Sequence, residues 1–103
     1  MKLPDNFKEF TVTLELKQPN ENWPEALQSL WYDAKGNWEA SHDIAQDMHN
    51  TMGSWLHGYL HRKEGDEFNA GYWYRQAGKS FPTCTLQEEL QEMVEFVLRY
   101  RNK

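Results

Sequence analysis

The spacing of hydrophobic residues predicts helices throughout the middle of the chain, and these helices pair into two hairpins. The first hairpin is predicted over residues 24–48 and the second over residues 53–78. In each hairpin a glycine, Gly36 or Gly65, follows shortly after the last apolar position of the first helix. A glycine at that place commonly ends a helix in the left-handed conformation. Each hairpin is therefore predicted to turn at its glycine.

The C-terminal segment, residues 85–102, is predicted to form a single amphipathic helix. Thr85 and Glu88 have the spacing of a capping box, which marks a helix start. One apolar stripe at helical spacing follows, made of Leu86, Leu90, Met93 and Val97. Terminal units of stacked helical hairpins need a cap, so we expect this helix to cover one side of the two hairpins.

The N-terminal segment, residues 7–16, has an ambiguous pattern. Its apolar residues from Phe10 to Leu16 alternate with polar ones, which favours an extended strand. Phe7, Phe10 and Leu14 would instead line one side of a helix. We expect an extended arm, which must lie on the helices or pair with a second chain to satisfy its backbone groups. The complete prediction is an all-α domain over residues 1–103 with this arm at its start.

Composition limits the classes of function. The 103 residues suffice for one domain, and 15% aromatic content makes a core of few but large side chains feasible. The net charge of −5 argues against nucleic acid as a partner. The chain has no apolar run of about 20 residues, no signal-peptide pattern and only one cysteine, Cys84. We therefore expect a cytoplasmic protein that does not enter membranes.

The two hairpins resemble tetratricopeptide-like repeats. The second has the small, acidic and aromatic residues of that family around its turn glycine, at Gly58, Asp66, Ala70, Tyr74 and Ala77. The first matches less completely, at Ser29, Tyr32, Gly36, Trp38 and Ser41. The turn glycines are 29 residues apart in the numbering, whereas that family repeats about every 34 residues. The resemblance implies close helix packing without a regular superhelix.

Longer segments carry a second resemblance. HDIAQ, WLHGYLHRKEGD and NAGYWYRQAG, at residues 42–46, 55–66 and 69–78, are similar to a family of small, mainly bacterial proteins without an established activity. That resemblance implies one folded unit and gives no mechanism.

Histidines supply one candidate chemistry. His57 and His61 stand one helical turn apart, with Glu64 close to one turn further on. Imidazoles at this spacing can chelate Zn²⁺, and His42 from the preceding helix would add a further ligand. The chain has no His-Glu-x-x-His motif and no second cysteine. The alternative is that these histidines only form hydrogen bonds between helices.

A second candidate is a ligand or partner surface. Residues 51–79 carry four Lys or Arg against three Asp or Glu, whereas residues 1–50 carry four against nine. Aromatic and basic side chains together favour binding of a peptide, a nucleotide or single-stranded RNA. The alternative is that the aromatics are core and the arginines pair with acidic neighbours. The residues of this surface are His57, His61, Arg62, Tyr72, Trp73 and Arg75.

No catalytic motif is present, so the sequence favours a non-enzymatic protein-interaction domain without a cofactor, acting as a homodimer or with another protein. The alternatives are a zinc-dependent enzyme or metal-binding protein using the histidines, and small-ligand binding near Trp73 and Arg75.

Overall fold

The computed structural model describes residues 3–100, and these form an all-helical fold that confirms the predicted class. None of the described helices is both long and apolar enough to cross a membrane. A 3₁₀ turn at Thr13–Glu15 separates the first two helices. The helices are α1 (Phe7–Val12), α2 (Glu25–Ala34), α3 (Trp38–Gln46), α4 (Thr51–Lys63), α5 (Glu67–Gln76) and α6 (Leu86–Tyr100).

Both hairpins turn in the same way. Gly36 ends the α2 side and Gly65 ends the α4 side, each with a φ of 88°. After each glycine the next backbone N–H bonds to a carbonyl five residues earlier, from Asn37 to Tyr32 and from Asp66 to His61. This is the Schellman arrangement, which satisfies the last carbonyls of a helix. The side chains of Asn37 and Asp66 then cap α3 and α5, so local sequence alone determines both turns.

Small residues bring the helices of each hairpin close together, as the repeat pattern predicts. In the first hairpin the Ser29 hydroxyl lies 2.9 Å from both the hydroxyl and the carbonyl oxygen of Ser41, and both residues are fully buried. In the second, a Cβ atom added to Gly58 would lie 3.2 Å from the ring of Tyr74. The two hairpins thus achieve close packing of their helices with different small residues.

Helix α6 lies against α1, α2 and α4. Thr85 and Glu88 form the predicted capping box, with reciprocal bonds of 2.9 and 3.0 Å between backbone N–H groups and side chains. Its buried face includes Leu90, Met93 and Val94. The predicted capping helix over residues 85–102 is therefore present as Leu86–Tyr100, and residues 101–102 lie outside the described range.

The prediction of an extended arm over residues 7–16 is wrong. Phe7–Val12 is helical, capped by Asn6, whose side chain accepts from the N–H of Glu9. Phe10 is fully buried, whereas Val12, which the alternating pattern places on the same side as Phe10, is 61% exposed. The helical spacing of Phe7 and Phe10 prevails because it places both against the core.

Two boundaries of the hairpins also differ from the prediction. Helix α3 ends at Gln46, short of residue 48, and α4 begins at Thr51, earlier than residue 53. Asn50 explains the early start, since its side chain accepts from the N–H of Gly53 and caps α4. The first turn of α4 packs closely against the segment before it, since a Cβ atom on Gly53 would lie 2.7 Å from the Cβ of Met48.

Candidate metal centre

Three imidazoles converge where the first hairpin meets the second. His42 projects from α3, and His57 and His61 project from α4. One nitrogen from each ring lies within 4.8 Å of the other two. The Nε2 atoms of His42 and His57 are 2.9 Å apart, which is hydrogen-bond distance. The sequence interval places His57 and His61 on one side of α4, and packing of α3 on α4 brings in His42.

Two tryptophans hold the imidazoles in place. The ring of Trp38 stacks on His42, with centroids 4.7 Å apart and an angle of 11° between planes. The ring of Trp73 stacks on His57 at 4.1 Å and 5°. Trp38 is itself fixed, because its Nε1–H donates to the Leu60 carbonyl at 2.8 Å. The imidazole positions are therefore restricted by rigid neighbours, which favours a preorganised site.

Glu64 orients the third imidazole. The Nδ1–H group of His61 donates a hydrogen bond to a carboxylate oxygen of Glu64, and the two atoms are 2.7 Å apart. In a neutral imidazole, a proton on Nδ1 places the lone pair on Nε2. A carboxylate on the distal nitrogen of a ligating histidine is a common feature of metal sites, because it fixes the tautomer and raises ligand basicity.

Burial keeps two of the imidazoles neutral. Burial, with a smaller contribution from His42 and His61, lowers the pKa of His57 to about 4. Burial and the nearby His61 also lower the pKa of His42, against a smaller opposing effect of Asp43 and Glu64. Neutral imidazole is the form that coordinates metals, so both residues are in the binding form at neutral pH.

The donor types suit a tetrahedral transition metal, and one nitrogen pair has nearly the separation that such a metal needs. Zn–N bonds of about 2.05 Å at tetrahedral angles place two nitrogens about 3.3 Å apart. The observed separation of 2.9 Å between His42 and His57 differs from this by a few tenths of an ångström. Three imidazoles would fill three of the four positions of such a metal and would leave one for water or another ligand.

The other residues of the predicted surface lie in different surroundings. Trp73 belongs to the histidine cluster, and Tyr72 stands next to it with 44% of its surface exposed. Arg75 is exposed on α5. Arg62 lies outside the cluster, since its guanidinium donates to Glu89 on α6 and to the Cys84 carbonyl. The structure thus brings together His57, His61 and Trp73 and separates Arg62 from them.

A buried carboxylate on α6 explains the position of Arg62. Glu89 is 1% exposed and lies 2.7 Å from Arg62 through its Oε1. The hydroxyl of Tyr74 and the Nε1–H of Trp55 also donate to it, at 2.7 and 3.0 Å. Both carboxylate oxygens of Glu89 therefore accept hydrogen bonds from neighbouring helices, and Glu89 is a structural group.

A second buried carboxylate, Asp33 of α2, lies at the base of a separate cavity. Its Oδ2 accepts from the Tyr59 hydroxyl at 2.7 Å and its Oδ1 accepts from the Lys63 ammonium at 2.9 Å. Burial and the charge of Asp33 raise the pKa of Tyr59. Sequence reasoning did not identify Asp33 or Glu89, because their partners lie at least 15 residues away along the chain.

Comparison of the chain with protein-family models, with curated proteins and with solved structures gives no match. The chemistry of the histidine cluster is therefore the main basis for a functional proposal.

Proposed function

We propose that this protein binds a divalent transition metal ion, Zn²⁺ in the simplest case, through His42, His57 and His61. The observation that supports the proposal is the convergence of three imidazole nitrogens within 4.8 Å. Imidazole is a preferred ligand for Zn²⁺ and its neighbours in the transition series.

The surroundings of the cluster support metal binding over simple hydrogen bonding between helices. The hydrogen bond between His42 and His57 needs only these two histidines. His61 adds a third imidazole 5.0 Å from His57 between ring centroids, with its distal nitrogen already bonded to Glu64. A third, oriented imidazole is superfluous for a hydrogen bond and useful for a ligand set.

The proposed site resembles catalytic zinc sites in its ligand number. Structural zinc sites use four protein ligands, whereas catalytic ones use three and keep a position for water. A metal bound here would supply Lewis acidity at that position. The residues of the chain would hold the ion through three imidazoles and fix one of them through Glu64.

Isothermal titration with Zn²⁺ and with Co²⁺ tests the proposal. We expect one ion per chain, and a loss of affinity of more than about 100-fold in His42→Gln and His61→Gln. His49 is exposed and outside the cluster, so His49→Gln is the matched control. Absence of binding, or equal affinity in all three variants, would contradict the proposal.

A second candidate function is self-association, the protein-interaction role that the sequence favours. Phe68 is 84% exposed and lies one turn from Tyr72, which is 44% exposed, on α5. Two exposed aromatics on one helix face are typical of an interaction surface. Sedimentation equilibrium is expected to show a dimer that Phe68→Ser dissociates and that Val12→Ser, another exposed apolar position, does not. A monomer in the unsubstituted protein would contradict this candidate.

A further inference from the structure

A cavity of about 370 Å³ lies between α1 and the rest of the fold, away from the histidine cluster. Its volume is within the usual range of about 300–1,000 Å³ for small-molecule sites. Aromatic and aliphatic side chains form most of its wall, and these are Phe7, Phe10, Leu14, Ala34, Leu86 and Leu90.

The polar groups of the cavity are few and grouped together. Asp33, Tyr59 and Lys63 share one side, linked by the two hydrogen bonds that Asp33 accepts. The Asp33 side chain is 1% exposed, whereas the Lys63 side chain is 37% exposed. An ammonium has three N–H donors, and among the bonds of residues 3–100 Lys63 uses one. Lys63 therefore has donors available for a ligand in the cavity.

We propose that this cavity binds a small amphiphilic monocarboxylate, with its hydrocarbon chain among the apolar walls and its carboxylate on the ammonium of Lys63. This site is independent of the metal centre. The combination of an apolar interior and one cationic donor at its edge suits a short fatty acid or a similar acid.

Because the opposite charges of Asp33 and Lys63 pair with each other, the unused donors of Lys63, and not a net charge, favour an anionic head group over a cationic one. Asp33 could attract a cation, but both of its oxygens already accept hydrogen bonds and its side chain is buried. A cation would therefore have to replace Lys63. A carboxylate would leave the bond between Lys63 and Asp33 in place, because it can accept from the N–H groups of Lys63 that are not yet used. An uncharged alcohol would receive only the weaker hydrogen bond to a neutral group.

Helix α1 forms one wall of this cavity through Phe7, Phe10 and Thr11. It has six residues, and a helix that short is not stable in isolation. A hydrocarbon chain against the partly exposed Phe7 would add apolar contact to this helix. Binding is therefore expected to slow amide hydrogen exchange in residues 7–12 more than elsewhere.

The test compares three probes with the same hydrocarbon chain: octanoate, octylammonium and 1-octanol. Two-dimensional amide NMR follows each titration. We expect octanoate to shift the amides of residues 7–12 and to bind at least about tenfold more tightly than octanol. Equal binding of octanol, tighter binding of octylammonium, or no shifts with about 10 mM octanoate would overturn the proposal.

Substitutions locate the site. Ala34→Leu places added carbon atoms in the cavity and is expected to abolish octanoate binding, whereas Lys63→Met is expected to weaken octanoate about tenfold and leave octanol unchanged. Lys63→Met leaves the buried carboxylate of Asp33 without a counter-charge, which can prevent folding. In that case the double variant Asp33→Asn/Lys63→Met removes both charges and is used in its place. The control is Lys17→Met, at an exposed lysine outside the cavity. Unchanged octanoate affinity in Ala34→Leu or in the folded variant at position 63 would overturn the proposal.

Discussion

The guanidinium of Arg62 and the carboxylate of Glu89 lie 2.7 Å apart and join α4 to α6. The acid is almost fully buried, while 16% of the Arg62 side chain is exposed. Tyr74 and Trp55 donate to the same carboxylate, so one acidic side chain connects α4, α5 and α6. Arg62 therefore contributes to the stability of the fold.

Removal of this carboxylate is expected to be strongly destabilising. Glu89→Ala leaves the Arg62 charge without its counter-ion and two buried donors without a partner, which costs about 3–5 kcal/mol of unfolding free energy. Urea denaturation measures the change. Glu92→Ala is the control on the same helix, because Glu92 is exposed, and we expect a change within about 0.5 kcal/mol. Similar losses in both variants would contradict this role for Glu89.

The histidine cluster predicts that acid lowers stability before most carboxylates are protonated. The pKa of His57 falls from 6.5 to about 4 on folding, so between these values the unfolded chain binds a proton that the folded chain does not. The unfolding free energy is therefore unaffected by this group above pH 6.5 and falls as the pH falls towards 4, by about 3 kcal/mol in total.

Urea denaturation at pH 7, 6 and 5 checks this effect. The unfolding free energy is expected to fall with pH in the unsubstituted protein and in His49→Gln, and to fall less steeply in His57→Gln. The groups that face His57 are His42, His61 and Trp73, and His42 acts in the same direction because burial lowers its pKa. Parallel pH profiles of the three proteins would exclude His57 as the source.

Metal binding predicts a gain in thermal stability. An ion that binds only the folded chain adds about 2.7 kcal/mol when its free concentration is 100 times the dissociation constant. Scanning calorimetry is expected to show a higher Tm with Zn²⁺ and its reversal by a chelator. Mg²⁺ prefers oxygen ligands and serves as the control. An equal effect of both ions would point to surface binding.

Glycine substitutions test the close approach of α4 and α5. Gly58→Ala places a methyl group 3.2 Å from the Tyr74 ring, closer than ordinary contact, and is expected to destabilise by about 1–3 kcal/mol. Gly71→Ala is the matched helical control, because only the flexible end of Arg75 lies near it, at 3.4 Å. There we expect a gain of up to about 1 kcal/mol. Chemical denaturation of both variants decides the matter, and an equal response would contradict close packing at Gly58.

The sequence is most informative where the determinants are local. Gly65 and Asp66 set their turn and cap within a few residues, and the four-residue interval between His57 and His61 places both on one face. It is least informative where partners are distant. Glu89 has the same amino-acid type as its exposed neighbour Glu88, but its partners Arg62, Trp55 and Tyr74 all come from other helices.

The N-terminal segment was mispredicted for a related reason. Its period-two and helical patterns share Phe10 and Leu14, so local periodicity does not choose between them. The choice comes from contacts with α2, where the Trp31 Nε1–H donates to the Thr13 carbonyl and the Lys35 ammonium donates to the Leu14 carbonyl. These donors lie 18 and 21 residues away.

The contact between His42 and His57 lies between the two hairpins rather than within one of them. In proteins built from repeated hairpins, the interface between neighbours determines whether they unfold together or one at a time. A proton or an ion taken up at this contact changes the coupling free energy between the hairpins. Cooperativity of unfolding, and not only its midpoint, should therefore depend on the state of these two imidazoles.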